Sequence, residues 1–205
     1  LLLFPFFACG PATNPGSGNH SIQSIVNEFE QQIRKDIETD GAGGSISAAI
    51  IKGDTIIWAG AFGYTDKERS IPADTGTIYR TGSVSKSFTA FLMMILAEEG
   101  VITLSDPVDL YLPEIRNLTG YSDSARINFL HLASHTSGLS CEPESADAAS
   151  GPIEEWENKI IQSIPAVPFK SRPGEKFIYS NFGYAVLGLA LSRAAKKLFM
   201  NLMKE

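Results

Sequence analysis

The 205-residue sequence has only two cysteines, Cys9 and Cys141, too few for a disulfide framework and set in surroundings that give no reason to pair them. It has no excess of basic residues. Its 17 Lys and Arg stand against 23 Asp and Glu for a formal charge of −6, which excludes nucleic-acid binders that rely on phosphate contacts. The apolar run at residues 1–9, Leu-Leu-Leu-Phe-Pro-Phe-Phe-Ala-Cys, falls short of the roughly 20 residues that a bilayer-spanning helix needs. Internal repeats and low-complexity tracts are missing too. What is present is an ordinary globular composition, 43% hydrophobic and 20% charged, in a chain long enough for one well-buried domain.

Residues 1–9 read as the end of a signal sequence, and without an initiating Met or a basic leading region the start of the gene product is expected to precede this chain. Ala8-Cys9-Gly10 resembles the cleavage box of bacterial lipoproteins, although Phe6 and Phe7 depart from the usual box. That resemblance makes Cys9 a lipid anchor attaching the protein to a membrane, and implies export to the bacterial periplasm or cell envelope. Residues 10–20 then form a flexible tether, with three Gly, two Pro and no charge before His20.

The folded body is expected over residues 21–205. Ile22, Ile25, Val26, Phe29, Ile33 and Ile37 recur at helical spacing with Gly41 just beyond, which predicts an amphipathic helix. Residues 46–51 and 55–61 are β-rich and flank Lys52-Gly53-Asp54, so an antiparallel hairpin should follow, giving an α+β opening. Residues 63–77 read as a surface excursion. A helix over residues 83–99 is almost wholly apolar from Phe88 to Ala97, which predicts burial on all sides and a cap at Gly100. Ser105-Asp106-Pro107 looks like a helix start, with Pro113 as its stop. Further helices are expected over residues 128–134, 153–163 and 181–197, and a mobile loop over residues 142–152.

Two patterns carry chemistry. Ser83-Val84-Ser85-Lys86 puts a hydroxyl and an amine three residues apart at a helix start, on one face, where the amine can take the hydroxyl proton. Helical N–H groups there can also receive a developing oxyanion. Tyr179-Ser180-Asn181, just ahead of another helix, offers a phenol for proton shuttling and an amide able to hold both a lysine and a substrate carbonyl. Each has a plain structural explanation as well: a capping serine with a solvated lysine, and a rim tyrosine with a capping asparagine.

Taken together with residues 79–90 (Tyr-Arg-Thr-Gly-Ser-Val-Ser-Lys-Ser-Phe-Thr-Ala), 132–139 (Leu-Ala-Ser-His-Thr-Ser-Gly-Leu) and 173–188, these patterns resemble the serine β-lactamase and penicillin-binding-protein family, in its class C β-lactamase, D-alanyl-D-alanine carboxypeptidase and esterase branch. The resemblance implies an α+β, β-lactamase/transpeptidase-like fold, an antiparallel sheet flanked by helices with a mostly helical subdomain. It makes Ser83 the acylated nucleophile, Lys86 its proton partner, Tyr179 the general base or shuttle and Asn181 a lysine-positioning, substrate-binding amide. Hydrolysis of an ester, amide or β-lactam bond in a small-molecule or peptidyl substrate follows, without metal or organic cofactor. Lys86 and Tyr179 are alternatives for the first proton acceptor, since they titrate as a coupled pair. The family's third motif, a Lys- or His-led Ser/Thr-Gly strand, has no counterpart before Glu205, so the chain is expected to be the amino-terminal part of a longer protein, with the fold incomplete at its C-terminal end.

Rival readings are weaker. His131 and His135 have the four-residue spacing of a zinc pair, but His-Leu-Ala-Ser-His lacks the glutamate of metalloproteases and no third ligand is evident. By resemblance His135 belongs instead to a structural turn ending at Gly138. Gly82-Ser83-Val84-Ser85-Lys86 fails the nucleophile-elbow pattern. Asn117-Leu118-Thr119 fits a glycosylation acceptor that a bacterial lipoprotein would not normally use, and Cys141 reads as a small loop or core residue. A catalytically silent lipoprotein of the same fold, binding a wall peptide or a partner, is the alternative function.

Overall fold

The computed structural model describes residues 21–40, 44–66, 68, 70–143 and 151–205, so the expectations for the signal remnant, Cys9, the tether and most of the 142–152 loop lie outside the described residues. The described residues fall into two compact units, one ending at Arg80 and one beginning at Thr81.

In the first unit, α1 (Ile22–Asp40) buries Val26 and Ile33, as its spacing predicts. Trp58 on β2 donates its indole N–H to Glu30 at 2.7 Å, and Phe29 meets the Trp58 ring edge-on at 5.7 Å. β1 (Ser45–Lys52) pairs antiparallel with β2 (Thr55–Asp66), from Ser45 opposite Gly63 to Lys52 opposite Thr55. The two-residue turn between them starts on Gly53 at φ 58, the position where such hairpins favour glycine. β2 runs five residues past its expected end. It pairs there with β3 (Ile71–Pro72), so part of the expected surface excursion is a third strand of a sheet ordered β1-β2-β3.

The second unit is helical among its described residues. α2 (Ser85–Glu98) ends as predicted at Gly100, φ 72, whose N–H bonds Ala97 while the Val101 N–H reaches Leu96. These two hydrogen bonds satisfy the Leu96 and Ala97 carbonyls in the last turn of the helix. The expectation of burial on all sides is corrected: Thr89, Leu92, Met93 and Leu96 form one buried stripe, while Phe88, Phe91 and Met94 are more than half exposed. The helix expected after Ser105 is also corrected. Residues Val108–Leu110 make one 3-10 turn, and Pro113 opens a second turn, Pro113–Asn117, instead of stopping a helix. Proline's fixed φ and missing N–H suit a first helical position as well as a stop. α3 (Phe129–Ala133), α4 (Trp156–Ser163), α5 (Asn181–Ala195) and α6 (Phe199–Leu202) complete the unit. Gly188 on α5 packs where a Cβ would lie 3.2 Å from the Phe199 ring. The core gathers Leu92, Leu112, Phe129, Ile164, Leu187 and Leu191 with their neighbours.

An ionic cluster ties the irregular 106–128 stretch to this core. The Asp109 side chain is 1% exposed and accepts from Arg116 at 2.6 Å and from Arg126 at 2.7 Å. Burial raises its carboxyl pKa, but the two guanidiniums outweigh burial and hold it below the usual value. A carboxyl lowered in the folded state contributes stability above about pH 4 that is lost as pH falls through the folded value. Asp109→Asn should therefore cost about 3 kcal/mol at neutral pH, at the low end for breaking a buried pair because Arg116 is half exposed. Urea melts of the whole protein should show this deficit shrinking below about pH 4, as the wild-type carboxyl itself protonates.

Candidate active site

All four predicted site residues of the folded body come together within the second unit. Ser83 sits in a 3-10 turn, Gly82–Val84, that leads into α2, and Gly82 takes φ 53 to enter it. The Ser85 hydroxyl donates to the Gly82 carbonyl at 2.6 Å, closing the turn. Residues three apart eclipse in such a turn, so Lys86 returns over Ser83 and its Nζ donates to Ser83 Oγ at 3.3 Å.

The opposite wall comes from the start of α5. Tyr179 OH lies 2.7 Å from Ser83 Oγ, and Asn181 Oδ1 accepts from Lys86 Nζ at 2.6 Å. The helix cap is Ser180, not Asn181. Its Oγ accepts the Gly183 N–H at 2.8 Å and donates to the Ser140 carbonyl at 2.7 Å. Asn181 and Phe182 give their N–H groups to the Cys141 carbonyl at 2.9 and 3.0 Å, so the helix's first two donors are engaged by Cys141 and the third by Ser180. Cys141 is thus an exposed loop residue whose backbone carries the contact.

That segment directly follows the Leu-Ala-Ser-His-Thr-Ser-Gly-Leu block, residues 132–139. Gly138, φ 79, lies so close to the chain at Ser171 that a Cβ would sit 2.2 Å from the Ser171 carbonyl oxygen. Around it the Lys170 N–H bonds the Gly138 carbonyl at 2.7 Å, and the Gly174 N–H bonds Thr136 at 2.8 Å. The run from 168 to 180 is laced to 135–141 by backbone bonds, which fixes where Tyr179 arrives.

Electrostatically the cluster is organised around Lys86. Its ammonium lies 5.0 Å from the Tyr179 ring centroid and 5.6 Å from that of Tyr184, both favourable positions for a cation. Burial pushes the Tyr179 phenol up, but the neighbouring Lys86 and Ser83 outweigh it and bring its pKa below the ordinary tyrosine value.

Two participants, Glu142 and Tyr184, were not singled out from the sequence, and a third, His135, was read there only as part of a turn. Glu142 accepts from the Asn181 amide nitrogen, which leaves Asn181 Oδ1 turned toward Lys86. Tyr184, one turn into α5, and His135, in the turn before Gly138, pack behind Tyr179. Only His135 carried a signal, through its place in the 132–139 block. Its partner in the zinc reading, His131, is occupied otherwise: Nδ1 accepts the Asn128 N–H while Asn128 caps α3.

A family model described as Beta-lactamase matches residues 26–205. Protein flp of Staphylococcus aureus strain N315 is 31% identical over 177 residues, covering 84% of this chain and 35% of that protein. Among solved structures, the octameric penicillin-binding protein homologue from Pyrococcus abyssi matches with a TM-score of 0.71 at 29% identity, over 87% of this chain and 41% of the other. The beta-lactamase/D-alanine carboxypeptidase from Yersinia pestis matches with a TM-score of 0.69 at 30% identity, over 90% of this chain and 52% of the other. The fold is thus the α+β, β-lactamase/transpeptidase-like one. The chain spans about a third of the length of the curated relative and 41% and 52% of the two solved ones.

Because Ser180 both caps α5 and holds Ser140, Ser180→Ala should lower the stability of the whole protein by about 1–2 kcal/mol in denaturant melts.

Proposed function

The chain belongs to the Beta-lactamase family, and on that premise we propose that the whole protein is a serine hydrolase acting on an ester, amide or β-lactam bond through an acyl-serine at Ser83. The observation that carries the reading is the 2.7 Å approach of Tyr179 OH to Ser83 Oγ, with Lys86 beside both. Of the two proton acceptors, Tyr179 offers the shorter path, 2.7 Å against 3.3 Å for Lys86 Nζ.

In the reaction, the phenol oxygen, acting as phenolate beside the Lys86 ammonium, takes the Ser83 proton as Oγ attacks the substrate carbonyl carbon. The tetrahedral intermediate collapses, the bond to the leaving oxygen or nitrogen breaks, and Tyr179 returns the proton to that atom. Water, deprotonated by the same phenolate, then attacks the acyl carbon. Ser83 leaves with the proton, and the acid is released. Lys86 supplies positive charge throughout, and Asn181 holds it in place. The attachment of Cys9 to lipid in the cell envelope is part of the same proposal, resting on the Ala8-Cys9-Gly10 pattern.

Mass spectrometry of the whole protein after incubation with penicillin, an acyl-D-alanyl-D-alanine peptide or a p-nitrophenyl ester should reveal an acyl adduct on the Ser83 peptide with at least one of them. Ser83→Ala should abolish it. Tyr179→Phe and Lys86→Ala should leave the protein folded while slowing acylation by about 10²- to 10⁴-fold, the usual worth of a positioned proton-transfer group. Full-rate turnover by Ser83→Ala would sink the mechanism, and no adduct with any of the probes would favour a silent, binding-only relative.

A further inference from the structure

His135 is bonded to the chain on both sides of Tyr179. Its carbonyl accepts the Ile178 N–H at 2.7 Å, and its Nδ1 accepts the Ser180 N–H at 3.1 Å. The imidazole lies 4.4 Å from the Tyr179 ring at a tilt of 31°, with Tyr184 at 4.9 Å and Phe177 at 5.6 Å closing it in. Tyr184 is itself tied down by donating its hydroxyl to the Ala133 carbonyl at 2.7 Å. His135 adopts φ 58, a left-handed conformation that costs a residue with a Cβ roughly 1–2 kcal/mol. The surrounding bonds must offset that cost, and they converge on the two residues that flank Tyr179.

A nitrogen that accepts a hydrogen bond carries no proton, so the bond from Ser180 defines the imidazole as the neutral Nε2–H tautomer. A second proton could enter only at Nδ1, where it would confront the Ser180 N–H and break the bond. Of the ionisable groups that face the ring, Lys86 is the one whose charge weighs against that proton. Lys86, reaching in from α2, is a cation, while Tyr179 and Tyr184 are phenols. Burial first, and then the Lys86 charge, push the His135 pKa below its ordinary value.

We propose that His135 is a positioning residue for Tyr179, its neutral imidazole and its carbonyl gripping the amides on either side of the tyrosine and aiming the phenol at Ser83 Oγ. This rests on the acyl-serine reading, in which Tyr179 is the proton acceptor.

Two substitutions in the whole protein separate positioning from simple packing. His135→Asn keeps a residue that tolerates the left-handed backbone and places an amide oxygen where Nδ1 stood, without a protonation site. His135→Ala keeps neither. With p-nitrophenyl acetate as probe, His135→Ala should lose about tenfold or more in kcat with little change in KM, as expected for a misplaced reacting group. Wild type should show an acid-side inflection below about pH 6.5, and His135→Asn should return to within about threefold of wild type and lack that inflection. A second readout needs no turnover: carbon-13 NMR of labelled tyrosine, assigned with Tyr179→Phe, should show the Tyr179 phenol titrating below free tyrosine in wild type and His135→Asn, and moving up in His135→Ala. Wild-type kcat in His135→Ala, or a kcat for His135→Asn as low as that of His135→Ala, would overturn the proposal, and so would an acid inflection that survives in His135→Asn. If His135→Ala does not fold, the His135→Asn profile decides alone. If wild type fails to cleave the ester, the acyl-serine reading is what suffers, and the Tyr179 titrations decide the positioning role: an upward shift in His135→Ala supports it, and no shift overturns it.

Discussion

Two segments separated by 96 positions in sequence meet at one pair of oxygens, Ser83 Oγ and Tyr179 OH, and a hydrogen bond of that kind tolerates only a few tenths of an ångström of error. The two sides reach that accuracy by different means. Ser83 is carried by α2, whose buried stripe of Leu92, Met93 and Leu96 anchors it to the core. Tyr179 lies just outside α5 and has no helical bonds of its own. Its place is set by backbone bonds from Lys170, Gly174 and Ile178 to the 135–138 turn, and by the Ser140 and Cys141 carbonyls that hold the start of α5. Gly138 makes this lacing feasible, because any side chain there would collide with the chain at Ser171.

Charge gives the cluster its polarity. Lys86 is surrounded by partners that favour a cation: the Asn181 oxygen, Ser83 Oγ and the faces of two tyrosine rings. A fixed ammonium beside a phenol stabilises the phenolate, and this explains why the Tyr179 pKa falls although burial alone would raise it. Asn181 is held in one sense of its amide, oxygen to ammonium and nitrogen to the Glu142 carboxylate, and the opposite sense would place like dipole ends against both charges. The ammonium position, on which both the serine and the tyrosine depend, is thereby set from outside the pair.

Much of this was legible in the residues. The first helix and the hairpin follow from spacing and turn chemistry, whereas the serine–lysine and tyrosine–asparagine pairs were joined into one expected site by the family resemblance, and the structure brings the four side chains within hydrogen-bonding distance of one another. What was not legible depended on tertiary neighbours. An apolar run such as 88–97 reports only that its residues are hydrophobic, and cannot distinguish a helix buried all round from one with a single buried stripe. Pro113 was read as a stop although proline suits a helix start equally well. Asn181 had the composition of a cap, but the serine before it took that role because Ser180 can donate to Ser140 while accepting from Gly183. His135 offered only its place in a short block, since a histidine's use as an acceptor is set by an amide 45 residues away.

Stability and chemistry are thus placed on different residues within one unit. The Asp109 cluster and the apolar core lie buried, so changes there should act on folding first. Ser83 and Tyr179 are exposed, and losing a hydroxyl from an exposed group removes little from the folded state while, on the proposed acyl-serine reading, it removes the reacting atom or its proton acceptor. Between these extremes stands the turn at 135–141, which is part of both. His135 is left-handed and Gly138 is crowded against Ser171, and each fixes the run of chain that delivers Tyr179. The cost of that turn is carried by the fold, and its return is the distance between a phenol and a serine.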